Sequence, residues 1–410
     1  MRSPRWLGAV NRALMVLPLS GGPEAIFERL AHDAARRVGG SLPVDPDVQD
    51  GLTLVLADIL AEPRMTRLGV LSGAMEVRRR LVIALALRRI EHERPEIVES
   101  PLAAPLVVLG LPRSGTTAMQ EALAAQPGLR TTRFWELVSP PSVGRGSLGE
   151  LRAIARSAAF STFAHLAMPA LRRLHPLGAT TAQETTQALA NSLHHAVRAP
   201  LPSYRSWLAS RDPTPDLDRL RILLRVLGWD PEKGGPSEQR WVLKSPFHLH
   251  DAGALLGVFP GARLIWTHRD PAAALGSWCQ LVETVQSMAM HRRDQREIGA
   301  EWLASWAEGM RSAREALASN PESFVDVDQA DLAGDAAAVV SEVLSRTGAS
   351  PTGSSSVPGR PRRSSAGAGS VPNPLKGRSS AKILARYGLD PDEVRHRLSR
   401  SETGPQERSG

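Results

Sequence analysis

Residues 107–123 read VVLGLPRSGTTAMQEAL and combine an apolar run, two glycines and a helix-forming segment. An apolar run ends in Gly110, a second glycine follows at Gly115, and residues that favour a helix come next. The two glycines permit tight backbone turns, and the first amides of a helix have no partners within that helix. The stretch therefore predicts a strand, a turn and a helix whose N-terminal end binds a phosphate or sulfate group.

Three further apolar runs follow: RWVLKSP at 240–246, ARLIWTH at 262–268 and SFVDVDQ at 323–329. Helical segments separate them, which is typical of a parallel sheet covered by helices on both faces. The expected fold is α/β, a three-layer P-loop-like fold with a central parallel sheet. Ligands of such sheets bind at the carboxyl ends of the strands, where the clusters LPRSGTT, KSPFH and HRDP stand.

Changes in composition divide the chain into four parts. Apolar residues at helical spacing predict an N-terminal helical segment at 1–100 that packs on an α/β core at 101–348. Ser, Gly, Pro and Arg dominate 349–380, which is expected to be a flexible insertion. A helical tail is expected at 381–410.

Composition limits the class of protein. The apolar runs are shorter than the ~20 residues that span a bilayer, and the single cysteine, Cys279, rules out an internal disulfide, so a cytoplasmic location is expected. The net charge of +8 indicates affinity for anions. Aromatic residues make up only 4%, which disfavours a single-strand nucleic-acid binder that works by stacking.

A second anion site is predicted in THRDPAAALGSW at 267–278. Asp270 is placed to cap a helix whose first residue is Pro271. Arg269 stands just before this helix, and Ser277 lies two turns beyond Asp270, about 10 Å along the axis. Two anion sites at neighbouring strand ends suggest one ligand with phosphates at both ends of a ribose.

The segments GLPRSGTT, LKSPFH and THRDPAAALGS, in this order, resemble the PAPS-dependent sulfotransferases, specifically the bacterial branch with a PRSGTT loop. The resemblance implies that this loop, without the lysine of GxxxxGK[ST], holds the 5′-phosphosulfate of 3′-phosphoadenosine 5′-phosphosulfate (PAPS). It assigns this role to five residues: Arg113, Ser114, Gly115, Thr116 and Thr117. It further pairs Arg269 with Ser277 at the 3′-phosphate and places Lys244 at the transferred group.

The activity implied is metal-independent, in-line transfer of a sulfuryl group from PAPS to a hydroxyl or amine. The acceptor would be a small molecule, a lipid or a carbohydrate, and homo-oligomerisation is left open. Lys244 and Arg113 would stabilise the leaving group, which makes both of them catalytic residues. The apolar segment at 161–179 either lines an acceptor pocket or packs in the core.

The general base is the least determined residue. Many relatives have a histidine two residues after the lysine, whereas this chain has Pro246. Glu136, in RFWELVSP, stands where part of the bacterial branch has a catalytic glutamate, and it is the favoured base. His248 is the second choice. His175 and Glu184, in HPLGATTAQET, are expected to contact the acceptor instead.

The C-terminal region departs from the family pattern. Relatives carry a basic segment before the terminal YGLD helix, and it helps to close over the nucleotide. Here that stretch is RSSAKILAR, so Lys376, Arg378 or Lys382 would have to replace the usual residues.

Two other functions fit parts of the sequence. A phosphoryl-transferring kinase of the same fold is disfavoured, because Thr116 replaces the loop lysine and Asp326 is the one near candidate for a metal ligand. A basic, non-enzymatic protein that binds nucleic acid or other anions through GRPRRSS is the second alternative.

Overall fold

A computed structural model describes residues 4–14, 21–40, 42–142, 146–349 and 380–399. Its centre is a five-stranded sheet in which every neighbouring pair is parallel. The strands are β1 (Leu106–Gly110), β2 (Leu129–Thr131), β5 (Arg240–Lys244), β6 (Arg263–His268) and β7 (Phe324–Asp328), and their order across the sheet is β2-β5-β1-β6-β7. Two further strands, β3 (Trp229–Asp230) and β4 (Gly235–Pro236), form a separate hairpin.

The four strands expected from the apolar runs are confirmed as β1, β5, β6 and β7. The edge strand β2 was not expected, because three residues are too few to show a period. Since β1 lies between β5 and β6, the three polar clusters that follow these strands lie side by side at the carboxyl edge of the sheet. This adjacency creates the candidate site.

Helices cover both faces of the sheet, as the apolar runs predict. In β1, Leu106 and Val108 belong to the core on one face, and Val107 and Leu109 to the core on the other. The α-helices are α1 (Arg5–Leu14), α2 (Pro23–Val38), α3 (Pro46–Ala61), α4 (Arg67–Glu93), α5 (Pro95–Val98), α6 (Thr116–Ala124), α7 (Phe134–Val138), α8 (Ser147–Ala167), α9 (Leu171–Leu174), α10 (Pro202–Ser210), α11 (Thr214–Gly228), α12 (Ala252–Val258), α13 (Pro271–Ala289), α14 (Gln295–Ser319), α15 (Gln329–Gly334), α16 (Ala336–Thr347), α17 (Ser380–Arg386) and α18 (Pro391–Leu398). Four short 3₁₀ turns lie at Thr185–Gln187, His195–Val197, Pro246–Leu249 and Pro321–Ser323.

The N-terminal part is helical, as expected, and is attached to the sheet layers through α4. On this 27-residue helix, Val77 and Leu81 pack with α2 and α3 in a separate apolar cluster. Farther along the same helix, Ile83 and Leu87 belong to the main core. One long helix therefore joins the two groups of helices.

The segment at 161–179 is used largely for core packing. Ala164, Ala167, Met168, Leu171 and Leu174 all belong to the main core. These residues therefore support the core-packing interpretation.

None of the helices in the described ranges is long and apolar enough to cross a membrane. Nearly all of the insertion expected at 349–380 lies outside the described residues, as do Lys376 and Arg378. Beyond this gap, α17 and α18 return to the core, where Leu384 and Tyr387 are fully buried.

Candidate active site

The turn between β1 and α6 holds an arginine in a strained conformation. Arg113 has a φ of 71° and is the only described residue other than glycine with a positive φ. The left-handed region costs such a residue about 1–2 kcal/mol, and strain of this kind occurs where a ligand is held. Gly115, two residues later, has a φ of 95°. The two left-handed residues bend the chain around Ser114.

Close packing against β6 explains why Gly110 is a glycine. A Cβ atom at this position would lie 2.4 Å from the Thr267 carbonyl oxygen. The Ser114 hydroxyl is 2.7 Å from the Thr267 hydroxyl and also donates to the Leu111 carbonyl at 2.7 Å. Ser114 is fully buried, so its side chain braces the turn against the neighbouring strand.

The N-terminus of α6 completes the turn. Thr116 is buried and Thr117 is exposed. The first amides of this helix have no intrahelical partner and carry the positive end of the helix dipole. The turn can therefore hold an anion with backbone amides and with the Thr117 hydroxyl.

The two predicted anion sites are in contact. Nη1 of Arg269 donates to the Arg113 carbonyl oxygen at 3.0 Å. The pKa of Arg113 is lowered, first by desolvation by the surrounding protein and second by the charge of Arg269. Arg113 nevertheless remains exposed to solvent. Neither guanidinium contacts a carboxylate in the described part of the chain. Two adjacent, uncompensated cations are an arrangement that an anionic ligand stabilises.

The helix after β6 begins as predicted. The Asp270 carboxylate accepts from the Ala273 amide at 3.2 Å, and Pro271 is the first helical residue. Ser277 is half-buried two turns farther along. Beside it, a Cβ atom at Gly276 would lie 3.2 Å from Ile383 of α17, so the C-terminal helices pack next to the second anion site.

Lys244 is the last residue of β5 and is 1% exposed. Its ammonium group donates to Oε1 of Glu184 at 3.2 Å. Burial by itself would raise the pKa of Glu184, but the positive charge of Lys244 outweighs it, with further contributions from His194 and His175 once they take up protons at low pH, and lowers this pKa below its ordinary value. Glu184 is therefore a carboxylate at neutral pH, held next to a buried cation.

Hydrogen bonds to the end of β5 fix Glu184 at this place. The 3₁₀ turn that follows Glu184 donates from the Thr185 hydroxyl to the Lys244 carbonyl at 3.4 Å. The Thr186 hydroxyl lies 2.9 Å from that of Ser245. Both bonds join segments about 60 residues apart, which is why no local spacing in the sequence pointed to the Lys244–Glu184 pair.

Two histidines lie next to this pair. His194 Nε2 is 4.0 Å from a Glu184 oxygen, and His175 is near enough to interact with Glu184, Lys244 and Arg113. Burial lowers the pKa of both rings, to about 4 for His194. Both imidazoles are thus neutral at pH 7, and they leave the lysine–glutamate pair as the charged centre.

His248, the second choice as base, is fully buried. Its Nε2 lies 2.8 Å from the Thr185 hydroxyl. Burial lowers the pKa of His248 to about 4, so the ring is neutral at pH 7. These contacts suit a residue that supports the turn after Glu184.

Glu136, the favoured base, has structural partners of its own. One oxygen accepts from the Arg133 amide at 2.7 Å, which caps α7, and the other pairs with Arg130 at 3.3 Å. Burial raises the pKa of Glu136 above its ordinary value. It faces a cavity of about 810 Å³ beyond the edge strand β2, with Arg130 and Trp229 also in the wall.

The three sequence motifs thus meet at one edge of the sheet. Arg113 and Arg269 are in contact, and Lys244 and Arg113 both act electrostatically on His175. Within the described ranges, Glu136 contacts Arg130 and Arg133 rather than this group, and it lies at the β2 edge. Sequence reasoning placed Glu184 at the acceptor but missed its bond to Lys244.

Comparisons with known proteins agree with this geometry. A model described as the sulfotransferase family matches residues 105–351, more than half of the chain. The crystal structure of sulfotransferase STF1 from Mycobacterium tuberculosis matches with a TM-score of 0.73 and 25% identity, over 91% of this chain and 98% of the other. Sulfotransferase STF9 from Mycobacterium avium gives a TM-score of 0.73 and 23% identity, over 90% and 94%. No curated protein sequence matches the chain.

Proposed function

The chain belongs to the sulfotransferase family, and we propose that it moves a sulfuryl group from PAPS to a hydroxyl or amine of an acceptor. The acceptor class is a small molecule, a lipid or a carbohydrate, and the transfer needs no metal ion. The observation that carries the proposal is the contact between Arg113 and Arg269 at the carboxyl edge of the sheet, next to the buried Lys244. A cytoplasmic location remains a prediction.

The residues present fit a nucleotide with an anionic group at each end. Arg113, Thr117 and the first amides of α6 are available for the 5′-phosphosulfate, and Arg269 with Ser277 for the 3′-phosphate. Guanidinium groups and backbone amides only donate hydrogen bonds, which suits sulfate and phosphate oxygens. The Ser114 hydroxyl is engaged with the Leu111 carbonyl and the Thr267 hydroxyl, so Ser114 supports the turn from inside and its side chain does not contact the ligand.

In the proposed transfer, an oxygen or nitrogen of the acceptor bonds to sulfur as the bond from sulfur to the phosphate oxygen breaks. Adenosine 3′,5′-bisphosphate is the product that leaves. Lys244 and Arg113 stabilise the negative charge that develops on the leaving oxygen, and a base takes the acceptor proton. Fixed cations of this kind contribute several kcal/mol because they need no reorganisation during the reaction.

The contacts favour Glu184 as this base. It is ionised at neutral pH and held by Lys244, which the proposal places at the transferred group. Both carboxylate oxygens of Glu136 are already hydrogen-bonded, one to the Arg133 amide that caps α7 and the other to Arg130, and His248 is fully buried. The assignment of Glu136 or His248 as the base stays a prediction; the variants and the pH profile below test Glu136 against Glu184.

The pH profile separates the two carboxylates. A carboxylate acts as a base only above its pKa, and the acid limb of kcat/KM reports the pKa of the free enzyme. If Glu184 is the base, the acid limb is expected below pH 4.5, since the pKa of Glu184 is lowered from that value. With Glu136 as base, the limb would lie above 4.5, since that pKa is raised. The measurement is kcat/KM against pH, with circular dichroism to confirm folding at each pH.

Adenosine 3′,5′-bisphosphate is expected to raise the melting temperature, because a ligand that binds only the folded state stabilises it. Thermal-shift titration measures this, with ATP and Mg²⁺ as the comparison. A shift with ATP and Mg²⁺ alone would support the kinase alternative. In that alternative the nearest metal-ligand candidate, Asp326, is already hydrogen-bonded to His268, whose Nε2 lies 2.7 Å from Oδ1 of Asp326.

Arg269→Gln is expected to remove the preference for a 3′-phosphate. The variant should bind adenosine 3′,5′-bisphosphate about 10- to 100-fold more weakly, since a hydrogen bond to a charged group contributes about 1.5–3 kcal/mol. Binding of AMP, which lacks that phosphate, should change little. Calorimetric titration of both nucleotides gives the comparison, and equal losses for both would contradict the assignment.

A further inference from the structure

A second cavity, of about 430 Å³, lies between α4, α7 and α8. This volume is within the range of small-molecule sites, roughly 300–1,000 Å³. The walls combine two kinds of side chain, arginines and apolar groups. None of the motifs in the sequence accounts for this combination.

Three arginines share one carboxylate at the inner end of the cavity. Glu76 pairs with Arg79, with Arg80 at 2.8 Å and with Arg198 at 3.6 Å. Burial by itself would raise the pKa of Glu76, but Arg79, Arg198 and Arg80 outweigh it and hold this pKa well below its ordinary value. The carboxylate is therefore charged, and the group carries an excess of two positive charges.

Helix α8 adds two more cations at the outer end. Arg152 and Arg156 lie one turn apart, are exposed, and line the cavity. Neither contacts a carboxylate in the described ranges; Arg156 donates to the Arg152 carbonyl at 3.2 Å. Four arginines thus line a cavity whose wall includes the single carboxylate of Glu76.

Apolar side chains also line the cavity. Phe134 and Phe160 stack with ring centroids 6.0 Å apart, and Val138 and Ala153 extend the same surface. Phe160 remains 48% exposed, so its ring is accessible from the cavity. The wall offers a place for an apolar chain or ring.

The cavity adjoins the Lys244–Glu184 pair. Gln187 lines the cavity and donates from Nε2 to Oε1 of Gln183, the residue before Glu184, at 3.1 Å. His194 lies 4.0 Å from Glu184 and also interacts with Arg198 and Glu76. Glu184 is not itself part of the cavity wall; Gln183 and Gln187 connect it to that wall.

We infer that this cavity binds the acceptor and that the acceptor is an anionic amphiphile, with an apolar body and an acidic group as well as the hydroxyl or amine. The inference rests on the proposed function. Arg152, Arg156 and Arg198 bind the acidic group, Phe134 and Phe160 pack against the apolar body, and the hydroxyl or amine reaches Glu184. An uncharged sugar fits less well, because its hydroxyls bring no negative charge to compensate the arginines.

The test uses the full chain saturated with adenosine 3′,5′-bisphosphate. Its probes are ω-hydroxy fatty acids of graded chain length and the uncharged diols of the same lengths. Calorimetric titration should show that the acids bind about tenfold or more tightly than the matched diols. Added salt should weaken binding of the acids only, since screening acts on charge. Labelled PAPS then shows whether the acids that bind also accept the sulfuryl group.

The double variant Arg152→Gln, Arg156→Gln is expected to bind the acids about 10- to 100-fold more weakly and to bind the diols with unchanged affinity. The matched control is Arg172→Gln, Arg173→Gln, on exposed arginines of α9 that do not line the cavity. Phe160→Ser should weaken the binding of the acids and of the diols alike, because it removes apolar contact that both make.

Equal affinity for acids and diols in the unmodified protein would overturn the inference, as would unchanged acid binding by the double variant. In either case binding of adenosine 3′,5′-bisphosphate stays intact, so the proposed function survives. Failure of the nucleotide itself to bind overturns the proposed function, and the inference with it.

Discussion

Replacing Glu184 with glutamine is expected to lower kcat about 100- to 10,000-fold, the usual contribution of a general base. Glutamine keeps the size of the side chain and removes its ability to take a proton. The measurement is transfer of ³⁵S from labelled PAPS to an acceptor isolated from a labelled cell extract. Affinity for adenosine 3′,5′-bisphosphate should stay within a few-fold, because Glu184 contacts Lys244 rather than the two anion-binding arginines.

Glu136→Gln is the matched comparison for this prediction. Glu136 caps α7 and pairs with Arg130, so its loss is expected to reduce stability by about 0.5–2 kcal/mol and to leave most of the activity. The reverse result, an inactive Glu136→Gln and an active Glu184→Gln, would make Glu136 the base. Loss of activity in both variants, with nucleotide binding intact, would mean that each carboxylate acts in the reaction.

Lys244→Met is expected to lower kcat about 100- to 1,000-fold, as for removal of one fixed group that stabilises charge in the transition state. Methionine preserves the unbranched apolar stem and removes the cation. The same change takes away the largest influence that lowers the pKa of Glu184. The acid limb of kcat/KM should therefore move to higher pH, which loss of packing alone would not cause.

Lys233→Met is the control for this variant, since Lys233 lies on the exposed hairpin between β3 and β4 with its side chain 82% exposed. Its activity and pH profile should match those of the unmodified protein. Lys244→Met leaves Glu184 without its buried partner, so a loss of about 3–5 kcal/mol in stability is expected. Measurement of nucleotide binding at the assay temperature confirms that the variant is folded. An active, folded Lys244→Met would exclude the proposed role of the lysine.

Local patterns in the sequence were enough for the main elements. The apolar runs gave β1, β5, β6 and β7 because strands buried on both faces need uninterrupted apolar residues. Asp270 and Pro271 predicted where α13 begins, because helix capping depends on residues that are close in the sequence. The three-residue strand β2 has no such signal, since it exists through pairing with β5 about 110 residues away.

For the site, local patterns in the sequence predict the turn at Arg113, the helix start after Arg269, and the placement of both at the carboxyl edge of a parallel sheet. These features follow from backbone geometry and from spacing within a few residues. The tertiary structure alone decided that Arg269 donates to the Arg113 carbonyl and that Glu184 pairs with Lys244. It also decided that four arginines surround one cavity between α4 and α8. The physical reason is that charges far apart in the chain interact only after packing has brought them together, and the burial that shifts their pKa values arises in the same step.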